Sequence, residues 1–373
     1  MKIVIFGLSI TSSWGNGHAT TFRALAKALA ARGHCIVFFE RNVEWYESNR
    51  DLPQPPFCEV QLFESWKQVL PRAKRQLKDA DVAVVGSYFP DGVAAIDQVL
   101  DSPVRVKAFY DIDTPITLAR LRSNADPDYL LRQQIPGFNL YFSFTGGEML
   151  RELEQRFGAR RAVPLYCSFD PEQYRHWQPN RRFACDLSYM GTYAPDRQPK
   201  LEELLCQPAR QLPGKKFIVA GPQYPRGVRW PKNVRRIMHL NPRWHPQFYS
   251  SSRLTLNVTR REMVLAGFSP SVRLFEAAAC AATIASDNWP GLDEFFEPGK
   301  EILLPTGTED VVRYISDYGE GELREIGERA QARVLAEHTN QKRAEQFETY
   351  VDSSTAGGKI AVQPVESALA VPV

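Results

Sequence analysis

Short runs of β-branched and aromatic residues alternate with helix-like segments along the first half of the chain. Residues 18–34, for example, repeat apolar side chains at helical spacing, and Gly33 ends that pattern. Strands are expected at residues 2–8, 35–40, 58–63, 82–87, 104–111 and 140–146. This alternation predicts a parallel sheet with helices on both faces.

The alternation breaks within residues 169–183, which are rich in proline, aromatic and charged residues and have no period. It then resumes, with strands expected at residues 186–192, 216–221, 234–240, 253–259, 282–287 and 301–305. Because the chain has 373 residues and shows the pattern twice, it predicts two domains rather than one large core.

We therefore predict an α/β protein with two doubly wound, Rossmann-like domains that face each other across a cleft. The first domain is expected at residues 1–168, a linker at 169–185 and the second domain at 186–335. Residues 336–351 are expected to form a helix that packs back towards the first domain, and residues 352–373 a disordered tail. Doubly wound sheets bind ligands outside the carboxyl ends of their strands, so the cleft is the expected site.

The composition, with 43% hydrophobic and 24% charged residues, is typical of a soluble globular protein. A net charge of +3 suits a small anionic ligand. It does not suit nucleic acid, which needs a clustered basic stripe, and it allows at most peripheral membrane contact. The six cysteines form no CxxC pair, so we expect reduced, buried thiols. No signal-peptide pattern or long apolar run is seen, and this predicts a cytoplasmic protein.

Candidate residues in the first half follow two of the expected strands. Gly15 and Gly17 lie in the first loop, where a ligand can approach the backbone and the next helix offers free N–H groups. His18 could act there as a general base, or simply as a packing or capping residue. Asp111 and Asp113 are expected on one face of an extended segment, as a base, sugar-hydroxyl acceptor or metal ligand, or as turn formers.

The first loop also resembles part of a dinucleotide-binding fingerprint. Glu40 ends the second expected strand, as a ribose-binding acid would. The third glycine of the fingerprint is missing, however, so a tight turn explains this loop equally well.

In the second half, Gly191 leaves a strand and Arg197 follows near a helix start, where arginine suits a diphosphate. Surface solvation is the alternative for this arginine.

The strongest pattern is a small-residue loop, Ser269 to Ser271, before an alanine-rich helix that begins at Val272. Its N–H groups would point at an anion. Arg273 in the first helical turn is unfavourable next to the helix dipole unless an anion binds there. Glu276, one turn further, could accept both hydroxyls of a ribose.

Two motifs resemble GT-B glycosyltransferases. GHATTFRALAKALAARGH, residues 17–34, is similar to the opening of many members. SPSVRLFEAAACAATIASDNWPGLDEFFEPGKEILL, residues 269–304, is similar to their donor-binding segment. The likeness is greatest to the CgeB-like, spore-maturation-type group of bacteria, and it implies a nucleotide-sugar site in the second domain and an acceptor site in the first.

Carried over by position, the resemblance implies that Glu276 holds the ribose. It also implies that the backbone of Ser271 and Val272 holds the diphosphate together with Arg273 and Arg197.

The resemblance also implies that Gly15 and Gly17 of the first domain bind the donor, beside its sugar or phosphate. His18 falls where inverting members keep their general base. The sequence departs from the family at two positions: Phe268 stands at the first glutamate of the E-x7-E pattern of retaining members, and Ala281 replaces a glycine.

The expected function is transfer of a sugar from a nucleotide-diphosphate sugar, preferably a uridine one, to an acceptor hydroxyl. The nucleotide sugar is a co-substrate, and neither a cofactor nor an essential metal is expected, because basic side chains and a helix end can stabilise the leaving diphosphate. The alternatives are a nucleotide-sugar 2-epimerase and a catalytically silent sugar-binding protein.

Overall fold

The first domain is built around a seven-stranded parallel sheet with the order β3-β2-β1-β4-β5-β6-β7. This computed structural model describes residues 1–15 and 17–355. The strands are β1 Lys2–Phe6, β2 Cys35–Arg41, β3 Glu59–Phe63, β4 Val82–Gly86, β5 Val106–Asp111, β6 Leu140–Ser143 and β7 Ala162–Pro164. The helices are α1 His18–Ala31, α2 Glu44–Glu47, α3 Trp66–Leu77, α4 Gly92–Leu100, α5 Thr114–Arg122 and α6 Glu148–Gln155, with a 3-10 turn at Arg132–Gly137. The strand order reverses between β1 and β4, so the loops after these strands diverge and leave a crevice.

The second domain repeats this plan with a five-stranded parallel sheet in the order β10-β9-β8-β11-β12. Its strands are β8 Cys185–Met190, β9 Phe217–Ala220, β10 Val234–Ile237, β11 Ser252–Asn257 and β12 Ile284–Ser286. Its helices are α7 Gln198–Leu201, α8 Gln207–Gln211, α9 His245–Ser250, α10 Arg261–Ala266, α11 Val272–Ala279, α12 Thr308–Ser316 and α13 Glu320–Glu337, with a π-helical turn at Glu202–Cys206 and 3-10 turns at Pro242–Trp244 and Leu292–Glu294. Here the order reverses between β8 and β11.

Apolar clusters cover both faces of both sheets. Val4 and Phe6 belong to the cluster on one face of the first sheet, while Ile3 and Ile5 belong to the cluster on the other. All five residues of β4 are buried. Strands that are covered on both faces consist of consecutive apolar residues, which explains why they could be predicted from the sequence.

The last helix, α14 Asn340–Thr355, leaves the second domain and packs on the first. Phe347 and Val351 join the same apolar cluster as α1. Glu348 pairs with Arg32 at 2.6 Å and with His34 at 2.7 Å, both near the end of α1. Arg343 is buried and donates to the carbonyl oxygens of residues 166 and 167, where the first domain ends.

Several local expectations were wrong. Residues 301–305 form no strand and make only isolated bridges, such as Ala285 to Leu303. The three-residue strand β7, which contains a proline, was missed because it is too short to show a pattern. Residues 352–355, expected in a disordered tail, are helical, and the rest of that tail, 356–373, lies outside the described residues. The six cysteines are free, but Cys35 is exposed and Cys58 only partly buried.

Candidate active site

A cavity of about 610 Å³ lies between the carboxyl ends of the two sheets. The first domain contributes the loops after β1 and β5, and the second domain contributes the loops after β8, β9, β10 and β11 together with the start of α11. This volume is within the range of small-molecule sites. The predicted residues that line it are Gly15, Gly17, His18, Asp113, Gly191, Arg197, Ser269, Ser271, Val272, Arg273 and Glu276.

A histidine and a carboxylate form a pair on the wall of the first domain. His18 begins α1 and is only 8% exposed. Its Nε2 lies 2.8 Å from Oδ2 of Asp113, the residue that precedes α5. The Nδ1 atom of His18 is buried and has no hydrogen-bond partner among the described residues. A carboxylate on one ring nitrogen orients the ring and makes the other nitrogen available as a base.

Asp111 lies beneath the cavity instead of in it. Its carboxylate is fully buried and accepts hydrogen bonds from Tyr141 Oη at 2.6 Å and Thr117 Oγ1 at 2.9 Å. The extended segment ends at Asp111, so the expectation that Asp111 and Asp113 share one face was wrong. Burial raises the pKa of Asp111 to about 7, with the hydroxyl donors opposing the rise. The contacts give Asp111 a structural position under the loop that carries Asp113.

Glu40 holds the first loop from below. Its buried carboxylate accepts hydrogen bonds from the backbone N–H groups of Ile10 at 2.6 Å and Thr11 at 2.9 Å. It therefore does not face a ribose, and the likeness to a dinucleotide fingerprint has no counterpart in the structure.

Asp51 contacts the same loop from its outer side. The sequence analysis did not predict a role for this residue. It accepts from the N–H and hydroxyl of Ser13 and from both terminal nitrogens of Arg23. Partial burial opposes ionisation, but Arg23 and Ser13 hold the pKa of Asp51 at about 2. No local pattern marks this contact, because Asp51 lies far along the chain from the loop it supports.

Two arginines that form no ion pair within the described residues stand on the wall of the second domain. Arg197 is 9% exposed, and its Nη2 donates to the carbonyl of Thr192 at 2.5 Å. The Nε atom of Arg197 is buried without a partner among the described residues. Arg273 donates to the carbonyl of Met190 at 2.9 Å. Neither arginine forms an ion pair with a described carboxylate.

Burial lowers the pKa of Arg197, and the neighbouring charge of Arg273 lowers it further. Gly191 makes room for this arrangement, since a Cβ atom there would meet Arg273 Nη1 at 2.5 Å. Two neighbouring cations, of which Arg197 is buried, favour a ligand with at least two negative charges.

The start of α11 adds to this anion site. Ser271 precedes the helix, but its hydroxyl donates to Asn257 Oδ1 at 3.0 Å and makes no capping hydrogen bond. The first N–H groups of the helix, at Val272 and Arg273, therefore have no partner within it, and they carry the positive end of the helix dipole. One turn further, burial raises the pKa of Glu276 to about 7, although Tyr174 and Arg273 oppose the rise.

Phe268 joins the two domains behind the cavity. Its backbone adopts a positive φ of 47°. Its N–H donates to Pro290 at 2.7 Å, and its carbonyl accepts from Gly146 of the first domain at 2.9 Å. The ring lies between glycines of both domains, where a Cβ atom would approach it to 2.5 Å at Gly147 and 2.3 Å at Gly291. The side chain at this position thus fills a slot between domains and does not line the cavity.

Ser269 makes a second link, since its hydroxyl lies 2.9 Å from the hydroxyl of Thr145 in the first domain. The loop before α11 is therefore held by both domains at once.

Two searches of residues 1–15 and 17–355 gave negative results. No group of three or more histidine, cysteine, aspartate or glutamate side chains is placed to hold a metal ion. No helix in the same part of the chain is long and apolar enough to cross a membrane.

Comparison with known proteins gives one family match and many similar folds. Residues 197–349 match the profile of a family described as Glycosyl transferase-like. No curated protein sequence matches the chain significantly.

Sucrose-phosphate synthase from Thermosynechococcus elongatus has a similar structure, with a TM-score of 0.70, 13% identity, and coverage of 96% of this chain and 100% of that one. HepE of Anabaena in complex with UDP-glucose gives a TM-score of 0.67 at 14% identity, covering 95% of this chain and 100% of that one. An alpha-glucosyltransferase in complex with UDP-glucose and DNA gives 0.68 at 13% identity, covering 95% and 98%.

At these identities the structural likeness shows the fold, and it confirms the two facing, doubly wound domains predicted from the sequence. The family match covers most of the second domain and supports the prediction of a glycosyltransferase. The chain thus has the GT-B fold, and residues 197–349 are similar to the Glycosyl transferase-like family.

Proposed function

We propose that the protein transfers a sugar from a nucleotide-diphosphate sugar to a hydroxyl group of an acceptor bound against the first domain. One observation carries this proposal: the same cavity has two neighbouring arginines without ion pairs on one wall and a histidine–carboxylate pair on the other. A diphosphate fits the first feature, and a hydroxyl that must lose its proton fits the second. A uridine nucleotide is preferred because HepE and the alpha-glucosyltransferase are complexes with UDP-glucose.

On the donor side, Arg197, Arg273 and the N–H groups at the start of α11 bind the diphosphate, and Glu276 accepts the ribose hydroxyls. Negative charge grows on the diphosphate as the bond to the sugar breaks. Fixed positive groups at that position stabilise the transition state more than the ground state, and these groups do not have to move as the charge develops. These groups are the reason that we propose a reaction independent of metal.

On the acceptor side, His18 takes the hydroxyl proton, and Asp113 holds the imidazole ring in position. The acceptor oxygen then forms its bond to the anomeric carbon while the bond from that carbon to the diphosphate breaks. Asp113 stabilises the imidazolium that results. A single displacement of this kind inverts the anomeric configuration, and NMR of the first-formed product tests this outcome.

The decisive experiment combines binding and turnover. The melting temperature is measured with UDP-glucose, UDP-galactose, GDP-mannose and other nucleotide sugars, since a ligand of the folded state raises it in proportion to occupancy. Release of UDP is then followed with and without acceptor sugars. We expect His18→Ala to keep the thermal shift and to lose about 10²- to 10⁴-fold in turnover. His34→Ala, at the other end of α1, is the matched control.

Near-normal turnover by His18→Ala would remove the base from this proposal. An epimerase would release UDP without an acceptor. A silent sugar-binding protein would show the thermal shift with no release of UDP under any condition.

We also assign the chain to the CgeB-like group, on the similarity of residues 269–304 to its donor-binding segment. A cytoplasmic location belongs to the same proposal, because the six cysteines are unpaired and reduced thiols are typical of that compartment.

A further inference from the structure

Tyr88, in the loop after β4, has an unusual backbone and an exposed ring. Its φ is 60°, in the left-handed region that residues other than glycine rarely adopt, and 40% of its surface is exposed. Such a conformation is strained and tends to persist at binding or catalytic sites. Neither the donor site nor the catalytic pair described above uses this residue.

The ring of Tyr88 stands at the catalytic pair. It is perpendicular to the imidazole of His18, with centroids 5.9 Å apart, and Tyr129 supports it at 4.8 Å. Burial raises the pKa of the Tyr88 hydroxyl, and the carboxylate of Asp113 raises it further. An exposed aromatic ring beside the general base is a suitable surface for the apolar face of a sugar whose hydroxyl must reach that base.

Arg260 approaches the same place from the second domain. It lines the cavity and precedes α10, a helix that packs on α5, whose first turn follows Asp113. The guanidinium is exposed and forms no ion pair with a carboxylate of residues 1–15 or 17–355. Its charge opposes the rise in the pKa of Tyr88, as does the charge of Arg120 on α5.

The positive charge of Arg260 indicates which class of acceptor the cavity favours. Arg197 and Arg273 are assigned to the diphosphate by their position beside the start of α11. Arg260 lines the same cavity from the loop before α10, which packs on α5, and the proposed function assigns no ligand group to its charge. An arginine without a carboxylate partner at a substrate cavity favours an anionic group, which it binds through paired N–H donors.

We propose that Tyr88 and Arg260 form the acceptor subsite, and that this subsite binds a sugar ring carrying an anionic group, a phosphate or a carboxylate. The inference rests on the proposed function and names its acceptor class. Tyr88 supports the ring beside His18, and Arg260 holds the anionic group from across the cleft.

The test uses matched acceptors and the full-length protein saturated with UDP. Saturation-transfer NMR compares binding of glucose with glucose 6-phosphate and glucuronate, and of fructose with fructose 6-phosphate. With UDP-glucose as donor, UDP release gives kcat and KM for the same sugars. We expect a charged member to be preferred over its neutral partner. Arg260→Ala should weaken binding of the charged member about 10- to 100-fold, as for a charged hydrogen-bond pair, and leave the neutral one unchanged.

Arg261→Ala is the matched control, because this neighbouring arginine is exposed and does not line the cavity. Tyr88→Ala should raise KM for both members of a pair, because the sugar loses the ring it packs on, whereas Tyr88→Phe should keep the wild-type KM.

Two results would overturn the inference: equal binding of charged and neutral sugars, or an Arg260→Ala variant that loses affinity for UDP itself, which would assign Arg260 to the donor. Failure of every nucleotide sugar to bind would instead refute the proposed function.

Discussion

Replacement of Arg197 by methionine tests whether the second domain is built around an anion. Methionine has similar length but no charge. In the ligand-free protein Arg197 is 9% exposed, has one acceptor in the carbonyl of Thr192, and lies beside the charge of Arg273. A buried cation that lacks a hydrogen-bond partner is destabilising. The free energy of unfolding of the variant should therefore equal that of the wild type or exceed it by about 1 kcal/mol. For a chain of this size, that raises the melting temperature by about 2 °C.

The same substitution should weaken the binding of UDP. Each hydrogen bond between a charged donor and an anion contributes about 1.5–3 kcal/mol, so the dissociation constant is expected to rise about 10- to 100-fold. Differential scanning fluorimetry gives the first quantity and isothermal titration calorimetry the second. Lys200→Met is the matched control, because Lys200 forms an exposed ion pair with Glu203 and does not line the cavity.

The opposite pattern would refute the reasoning. Removal of one partner from an internal ion pair costs about 3–5 kcal/mol. If Arg197→Met loses that much stability and still binds UDP normally, the arginine serves the fold and not a ligand.

Three further changes have defined outcomes. Phe268→Ala should lower the free energy of unfolding by about 2 kcal/mol in urea denaturation, because the slot between the domains is left empty, whereas Leu265→Ala, at a position 75% exposed, should have no effect. Glu276 has a pKa of about 7, so its carboxylate forms fully only above that pH. Affinity for UDP-glucose, measured by calorimetry, should therefore fall as the pH drops through about 7, and Glu276→Gln should lose this dependence; parallel profiles would contradict it. Asp111 keeps its proton in the folded state up to a pKa of about 7, against an ordinary 3.8. The free energy of unfolding should thus fall as the pH rises between these values, and Asp111→Asn should show a smaller fall in denaturation experiments across that range.

The architecture could be predicted from the sequence because buried parallel strands have a distinct pattern of apolar residues. Each strand of a covered sheet is a short apolar run, and each is followed by a helix with its own period. Residues 301–305 show where this reasoning fails. An apolar run beside a sheet can pack on it through single bridges without forming a ladder, and the run alone does not distinguish the two.

The site was predicted in part, for a related reason. Residues that follow strand ends must gather at one edge of a sheet, so His18, Arg197 and Arg273 could be placed near a ligand. The pairing of His18 with Asp113 depends on how two loops far apart in the chain approach each other, and no local pattern encodes it. Asp111 was misplaced because the chain was assumed to stay extended beyond the end of the strand, as far as residue 113.

The path of α14 has a consequence for synthesis. One apolar face of α1 and the first sheet, which are made first, is completed by residues made near the end of the chain, such as Phe347 and Val351. During translation this face stays exposed until the second domain has left the ribosome. The N-terminal half is therefore not an independent folding unit, and gene fragments that stop before residue 340 should yield insoluble protein, whereas co-expression with the missing half should rescue them.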